Sequence, residues 1–171
     1  MKHLSKVIIG GNVKALREAL GLSQHDFSIV TDLSKRSIAN IESGEKGYNL
    51  DLLDKILEFF QLQLVDISSR EIKIPDDFRE SIIKFHKGRN SPSFETLVGK
   101  PTIVYAIKYK LLKSTLLDKP REIKEIKDFF LGIKWEYISS SISNALKRMP
   151  DLIEVTKQEG KKNTFLYSRK K

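Results

Sequence analysis

Lys35, Arg36 and Asn40 carry side-chain groups that match the edges of bases. Lys or Arg suits the guanine edge and Asn the adenine edge. For that chemistry the three must share the exposed side of one short helix, near its N-terminus. The surrounding residues supply such a helix over 35–43. Ser34 is a suitable N-cap, Gly44 a suitable terminator, and Ile38 and Ile41 mark a buried side. Gln24, in the first turn of a preceding helix, would lie beside a phosphate together with free backbone N–H groups.

The elements that position these residues follow from apolar spacing and caps. Val13, Leu16 and Leu20 fall at i, i+3 and i+7, the face of a short helix that Gly21 can end. Ser23 reads as an N-cap with Asp26 three residues on, and Phe27 and Val30 face inward on the helix they open. Thr31-Asp32-Leu33 is then a tight connection, with Asp32 able to take a left-handed conformation. Asn49 caps a further helix whose stripe is Leu50, Leu53, Ile56, Leu57 and Phe60. Two helices of about eight residues joined by a short turn form a helix-turn-helix, whose second helix can enter the major groove.

Residues 13–60, with Val13-Lys14-Ala15-Leu16-Arg17, Gly21-Leu22-Ser23-Gln24 and Ser37-Ile38-Ala39-Asn40-Ile41-Glu42-Ser43-Gly44, resemble the Cro/phage-repressor helix-turn-helix family, also called XRE-type. The resemblance implies a five-helix lambda-repressor-like domain. It assigns Gln24 to backbone phosphate and Lys35, Arg36 and Asn40 to base reading, with Ser37 and Lys46 as further phosphate candidates. It pairs Arg17 with Glu42 as a structural link that holds the reading helix in place. Two positions depart from the family pattern: Asp32 stands where glycine is usual in the turn, and Thr31 where an apolar residue is common.

From Lys100 the pattern changes. Ile103, Val104, Ile107, Leu111 and Leu112 share one helical face. Pro120 precedes a helix carrying Ile123, Ile126, Phe129 and Phe130, which Gly132 ends. Trp135 through Met149 is expected as one further helix, stopped by Pro150. Ile153–Thr156 and Thr164–Tyr167 alternate as two strands of a hairpin. Three helices and a basic hairpin resemble a winged helix in layout. That likeness makes Ser141, Asn144 and Lys147, with Ser140 and Ser143, the groove-facing set of the third helix. It sends Lys157, Lys161 and Lys162 on the hairpin towards phosphate or the minor groove. The same fold also serves dimerisation or partner binding, and both readings stay open.

Charge follows this division. The chain of 171 residues holds 31 Lys+Arg and 22 Asp+Glu, a formal net charge of +9. Residues 1–67 have eight basic and nine acidic residues, whereas 101–171 have 16 and 8. A basic second half favours an anionic partner. The absence of cysteine excludes disulfides, thiolate catalysis and thiolate metal sites. No apolar run approaches the roughly 20 residues of a membrane span, and the N-terminus lacks a secretory-signal core. Neither Walker loop, GxSxG nor HExxH occurs, and a self-cleaving repressor would need a mostly β peptidase half.

The sequence therefore predicts a mainly α protein in three parts: a helix-turn-helix domain over 8–67, a connector over 68–99 and a winged-helix-like domain over 100–171. In the connector, Phe78, Ile82, Ile83 and Phe85 suggest one short helix, and Ser91-Pro92-Ser93 a loop. The expected function is a cytoplasmic, sequence-specific DNA-binding regulator, a repressor rather than an activator. It would act as a homodimer on double-stranded DNA, with neither enzyme activity, cofactor, metal nor membrane partner. The alternative is an antitoxin or adaptor whose basic half binds a protein.

Overall fold

The computed structural model describes residues 4–160 and 164–170. The chain divides into two compact units, Met1–Gly99 and Lys100–Lys171.

The first unit begins with α1 (Leu4–Ala19), α2 (Gln24–Val30), α3 (Lys35–Ser43), α4 (Leu50–Phe60) and α5 (Leu64–Ser68). Helix α1 reaches further towards the N-terminus than its apolar spacing indicated. Two glycines make that extension possible by allowing close contact with the end of α3. A Cβ on Gly10 would lie 2.2 Å from the Ile41 carbonyl oxygen, and one on Gly44 would lie 2.7 Å from the Val7 Cα. Gly44 also takes the left-handed conformation that ends α3, at φ 60°. Midway along α1, the Asn12 amide donates to the carbonyls of Ile67 (2.9 Å) and Ser69 (2.7 Å), tying α1 to the end of α5.

Two more helices complete this unit, α6 (Phe78–Gly88) and α7 (Ser93–Val98). The segment expected as a connector thus contributes Ile82 and Leu97 to the same core as Val13, Leu16, Phe27, Ile38, Ile41 and Ile56. Ser91 and Pro92 form the expected loop, and α7 begins directly after them at Ser93. Arg79, a buried cation, is satisfied by carbonyl oxygens: it donates to Leu20, Leu97 (2.6 Å) and Gly99 (3.0 Å).

The second unit opens with α8 (Ile103–Ala106), which widens into a π turn over Ile107–Leu111 where a plain α-helix was expected. After a 3-10 turn at Leu116–Asp118 come β1 (Arg121–Glu122), α9 (Ile123–Gly132), α10 (Ser139–Lys147), β2 (Ile153–Lys157) and β3 (Phe165–Arg169). The expected hairpin of β2 and β3 is present, but it belongs to a three-stranded antiparallel sheet of order β1-β3-β2. Arg121 and Glu122 pair with Tyr167 and Leu166. This extra strand is too short to show alternation in sequence.

The helix expected from Trp135 to Met149 starts only at Ser139. After α9 the chain reverses through Lys134, at φ 63°, and Trp135 N–H returns to the Phe130 carbonyl at 2.9 Å. The Tyr137 hydroxyl then donates to the Pro101 carbonyl at 2.7 Å. These contacts hold residues 135–138 out of the helix and leave Ile138 66% exposed. The core of this unit gathers Ile107, Leu111, Ile126, Phe130, Ile142, Leu146 and Tyr167.

Candidate nucleic-acid interface

Helix α2 forms because its ends are satisfied locally. The Ser23 hydroxyl accepts from the Asp26 N–H at 3.1 Å, while an Asp26 carboxylate oxygen accepts from the Ser23 N–H at 3.3 Å. Asp32 takes the left-handed position of the turn at φ 52°. Lys55 holds it there, its Nζ 2.8 Å from Oδ2 and 3.2 Å from the Asp32 carbonyl oxygen. That hydrogen bond, and then the lysine charge, hold the Asp32 carboxyl below its ordinary 3.8. Thr31 is buried, and its hydroxyl donates to the Phe27 carbonyl at 2.7 Å. A polar residue therefore fits where an apolar one is common. Helix α3 opens on Ser34, whose Oγ accepts from the Ser37 N–H at 3.0 Å.

The outer side of α3 has the expected composition. Lys35 and Arg36 are exposed in its first turn, and Asn40 is half-buried one turn on. Ser37 is half-buried, with its hydroxyl 2.8 Å from that of Ser34, and Lys46 is exposed in the loop that follows. Ile38 and Ile41 are fully buried on the opposite side.

The orientation of α3 is fixed from beneath. Arg17 donates through Nε to Glu42 Oε1 at 2.6 Å and through Nη2 to Oε2 at 3.0 Å, a bidentate pair. Its Nη1 donates to the Leu22 carbonyl at 2.8 Å. The two side chains are 9% and 4% exposed, so the pair is desolvated and lies between α1 and α3. Gln24 joins this network: its amide nitrogen donates to Glu42 Oε2 at 2.9 Å. That bond was not legible from residue types and spacing. It links the first residue of α2 to the same carboxylate that anchors α3.

In the second unit, α10 is 9 residues long and contains no acidic residue. Ser140, Asn144 and Lys147 are exposed, and Ser141 is half-buried. Ser143 points elsewhere, its hydroxyl 2.8 Å from that of Tyr167 on β3, so it is not part of an open groove face. Lys147 Nζ lies 4.2 Å from the centre of the Phe165 ring, and Lys157 is exposed on β2. Lys161 and Lys162 lie outside the described residues. Among the described residues no cluster of His, Asp and Glu could hold a metal ion, and no helix is long and apolar enough to cross a membrane.

The α2–turn–α3 geometry, held by the buried clamp, makes this part of the first unit a helix-turn-helix. Residues 13–67 match the helix-turn-helix family. The chain is also similar to antitoxin PezA of Streptococcus pneumoniae serotype 4 (strain ATCC BAA-334 / TIGR4), with 33% identity over 60 residues. That match covers 35% of this chain and 38% of the relative, so the chain spans well under half the length of the curated relative it matches. No solved structure gives a significant match.

Proposed function

We propose that the protein is a cytoplasmic, sequence-specific DNA-binding transcriptional regulator that represses by occupying its operator. Helix α3 enters the major groove, with Lys35, Arg36 and Asn40 meeting base edges. Gln24, Ser37 and Lys46 meet the flanking phosphates. The observation that carries this reading is the exposed Lys35-Arg36 pair on a helix that a buried bidentate clamp holds rigidly from behind. A rigid reading helix keeps its donors in one geometry, which discrimination between bases requires. A homodimer on half-sites about 34–36 Å apart is the matching assembly.

The second unit is proposed as a winged helix. In support, three helices are interleaved with a sheet of order β1-β3-β2, and the third helix is free of acids. Ser141, Asn144 and Lys147, with Lys161 and Lys162 on the wing, would give it a second DNA contact.

A second reading has its own support in the antitoxin relative. Under it, the helix-turn-helix unit binds the operator while the basic unit engages an acidic protein partner. Selection of binding sites from random duplex DNA with the full chain separates these readings. A palindrome with half-sites one helical turn apart supports the dimeric regulator. An extended asymmetric site supports DNA contact by both units. Binding without any recovered motif contradicts sequence-specific reading and moves the partner-binding account to first place.

A further inference from the structure

The first unit contains a second feature that DNA recognition does not use. A cavity of about 320 Å³ opens beside the turn between α2 and α3. The turn residues themselves, α4 and α6 wall it, so part of its lining lies beyond the family match at residue 67. Its floor is aromatic. Phe59 and the His86 imidazole stack at 4.7 Å, and Phe85 meets His86 edge-on at 5.1 Å.

Of its two cations and two anions, one of each is paired and one of each is not. Lys55 is neutralised by Asp32. Arg89 and Glu58 both border the cavity, yet among the described residues neither is ion-paired. The Arg89 guanidinium lies over the Phe85 ring at 4.6 Å, which orients it but does not neutralise it. His86 adds an unmet polar group. It is only 6% exposed, and its Nε2 lies 3.1 Å from the Phe59 carbonyl oxygen. A carbonyl oxygen can only accept, so Nε2 carries the proton. Nδ1 remains an acceptor with no partner. Buried polar atoms in folded proteins nearly always have one.

We infer that this cavity binds an α-amino acid with an apolar side chain. The carboxylate would pair with Arg89, the ammonium with Glu58, and the side chain would lie on Phe59 and Phe85. One unpaired cation and one unpaired anion on the same cavity fit a zwitterion, which can engage both at once, whereas a simple anion or cation can engage only one. The volume suits a small ligand. The position supplies a consequence: the ligand sits against Thr31, Asp32 and Lys55, which shape the turn. The inference does not rest on the DNA-binding reading, and its test does not involve DNA.

The test is calorimetric titration of the full chain with L-phenylalanine and L-leucine. It is repeated with 3-phenylpropionate, which lacks the ammonium, and with 2-phenylethylamine, which lacks the carboxylate. At least one amino acid should bind saturably at one site per chain, with both truncated analogues at least tenfold weaker. Arg89→Gln and Glu58→Gln alter exposed side chains, and unchanged thermal unfolding would verify that they fold. Each should weaken amino-acid binding at least tenfold. Glu58→Gln should leave 3-phenylpropionate unaffected, a pattern general destabilisation would not produce. If neither amino acid binds, or if 3-phenylpropionate binds as tightly as phenylalanine, the proposal is overturned.

Discussion

Arg17 and Glu42 form a buried bidentate pair that fixes α3 against α1. Both are buried, so removing one leaves the other as an uncompensated charge in a poorly solvated site. Glu42→Ala should therefore destabilise the first unit by about 3–5 kcal/mol in urea unfolding. A loss below about 1 kcal/mol would mean that the pair is solvated in solution. Arg17→Lys should also be costly, because a single ammonium cannot replace the two-pronged contact and the bond to Leu22. The pairing was legible in the sequence through the family resemblance. The part played by Gln24 was not, because a glutamine suited to phosphate is equally suited to a neighbouring carboxylate, and only the fold brings Glu42 within 2.9 Å.

Asp32 gives a residue-level prediction with a sign. Its carboxyl titrates below the ordinary 3.8 because Lys55 donates to it. A carboxyl depressed on folding contributes stability at pH above its unfolded value, and that contribution is lost as pH falls through the folded value. Lys55→Met should bring the Asp32 midpoint back up towards 3.8 in an NMR titration of side-chain carboxyls. An unchanged midpoint would show that the lysine does not hold the turn.

The contact between α1 and α3 sets the geometry of α3 as much as the apolar core does. Gly10→Ala would drive a methyl group into the Ile41 carbonyl, which is backbone and cannot swing aside. A loss of about 1–3 kcal/mol is expected from such overpacking, measurable by thermal unfolding. Gly11→Ala one residue away meets nothing within 4 Å and serves as the control. Equal effects at the two positions would rule out a close approach. Helices with clear caps and stripes, such as α2, α3 and α4, were legible in the sequence because their signals are local. The extension of α1 was not, since its reason is contact with residues 41–44, far along the chain. The start of α10 was misplaced for a similar reason. Trp135 and Ile138 fall in helical register with Ile142, but the reversal at Lys134 and the Tyr137 anchor on Pro101 act over distance. The two residues of β1 are a strand only because β3 pairs with them.

For the whole molecule, the two cores share no residue, so the units should fold separately. Fragments 1–99 and 100–171 should each be folded by circular dichroism and unfold cooperatively. A fragment ending at 67 should be much less stable, because it loses Arg79 and the buried Ile82 and Leu97. If the 67-residue fragment were as stable as 1–99, α6 and α7 would be dispensable to the fold. Charge also divides at this scale: the basic excess belongs to the second half, while the resemblance to known DNA readers belongs to the first. Composition and family resemblance therefore draw attention to different halves of the chain.

Arg36 offers the most direct test of base reading by α3. The measurement compares wild type and Arg36→Ala on the selected site and on random duplex at one fixed, near-physiological salt concentration. The account predicts a loss of about 1–3 kcal/mol on the selected site, relaxed preference at one base pair, and little change on random DNA. An equal loss on both would contradict it, because Arg36 would then be a phosphate contact carrying no sequence information.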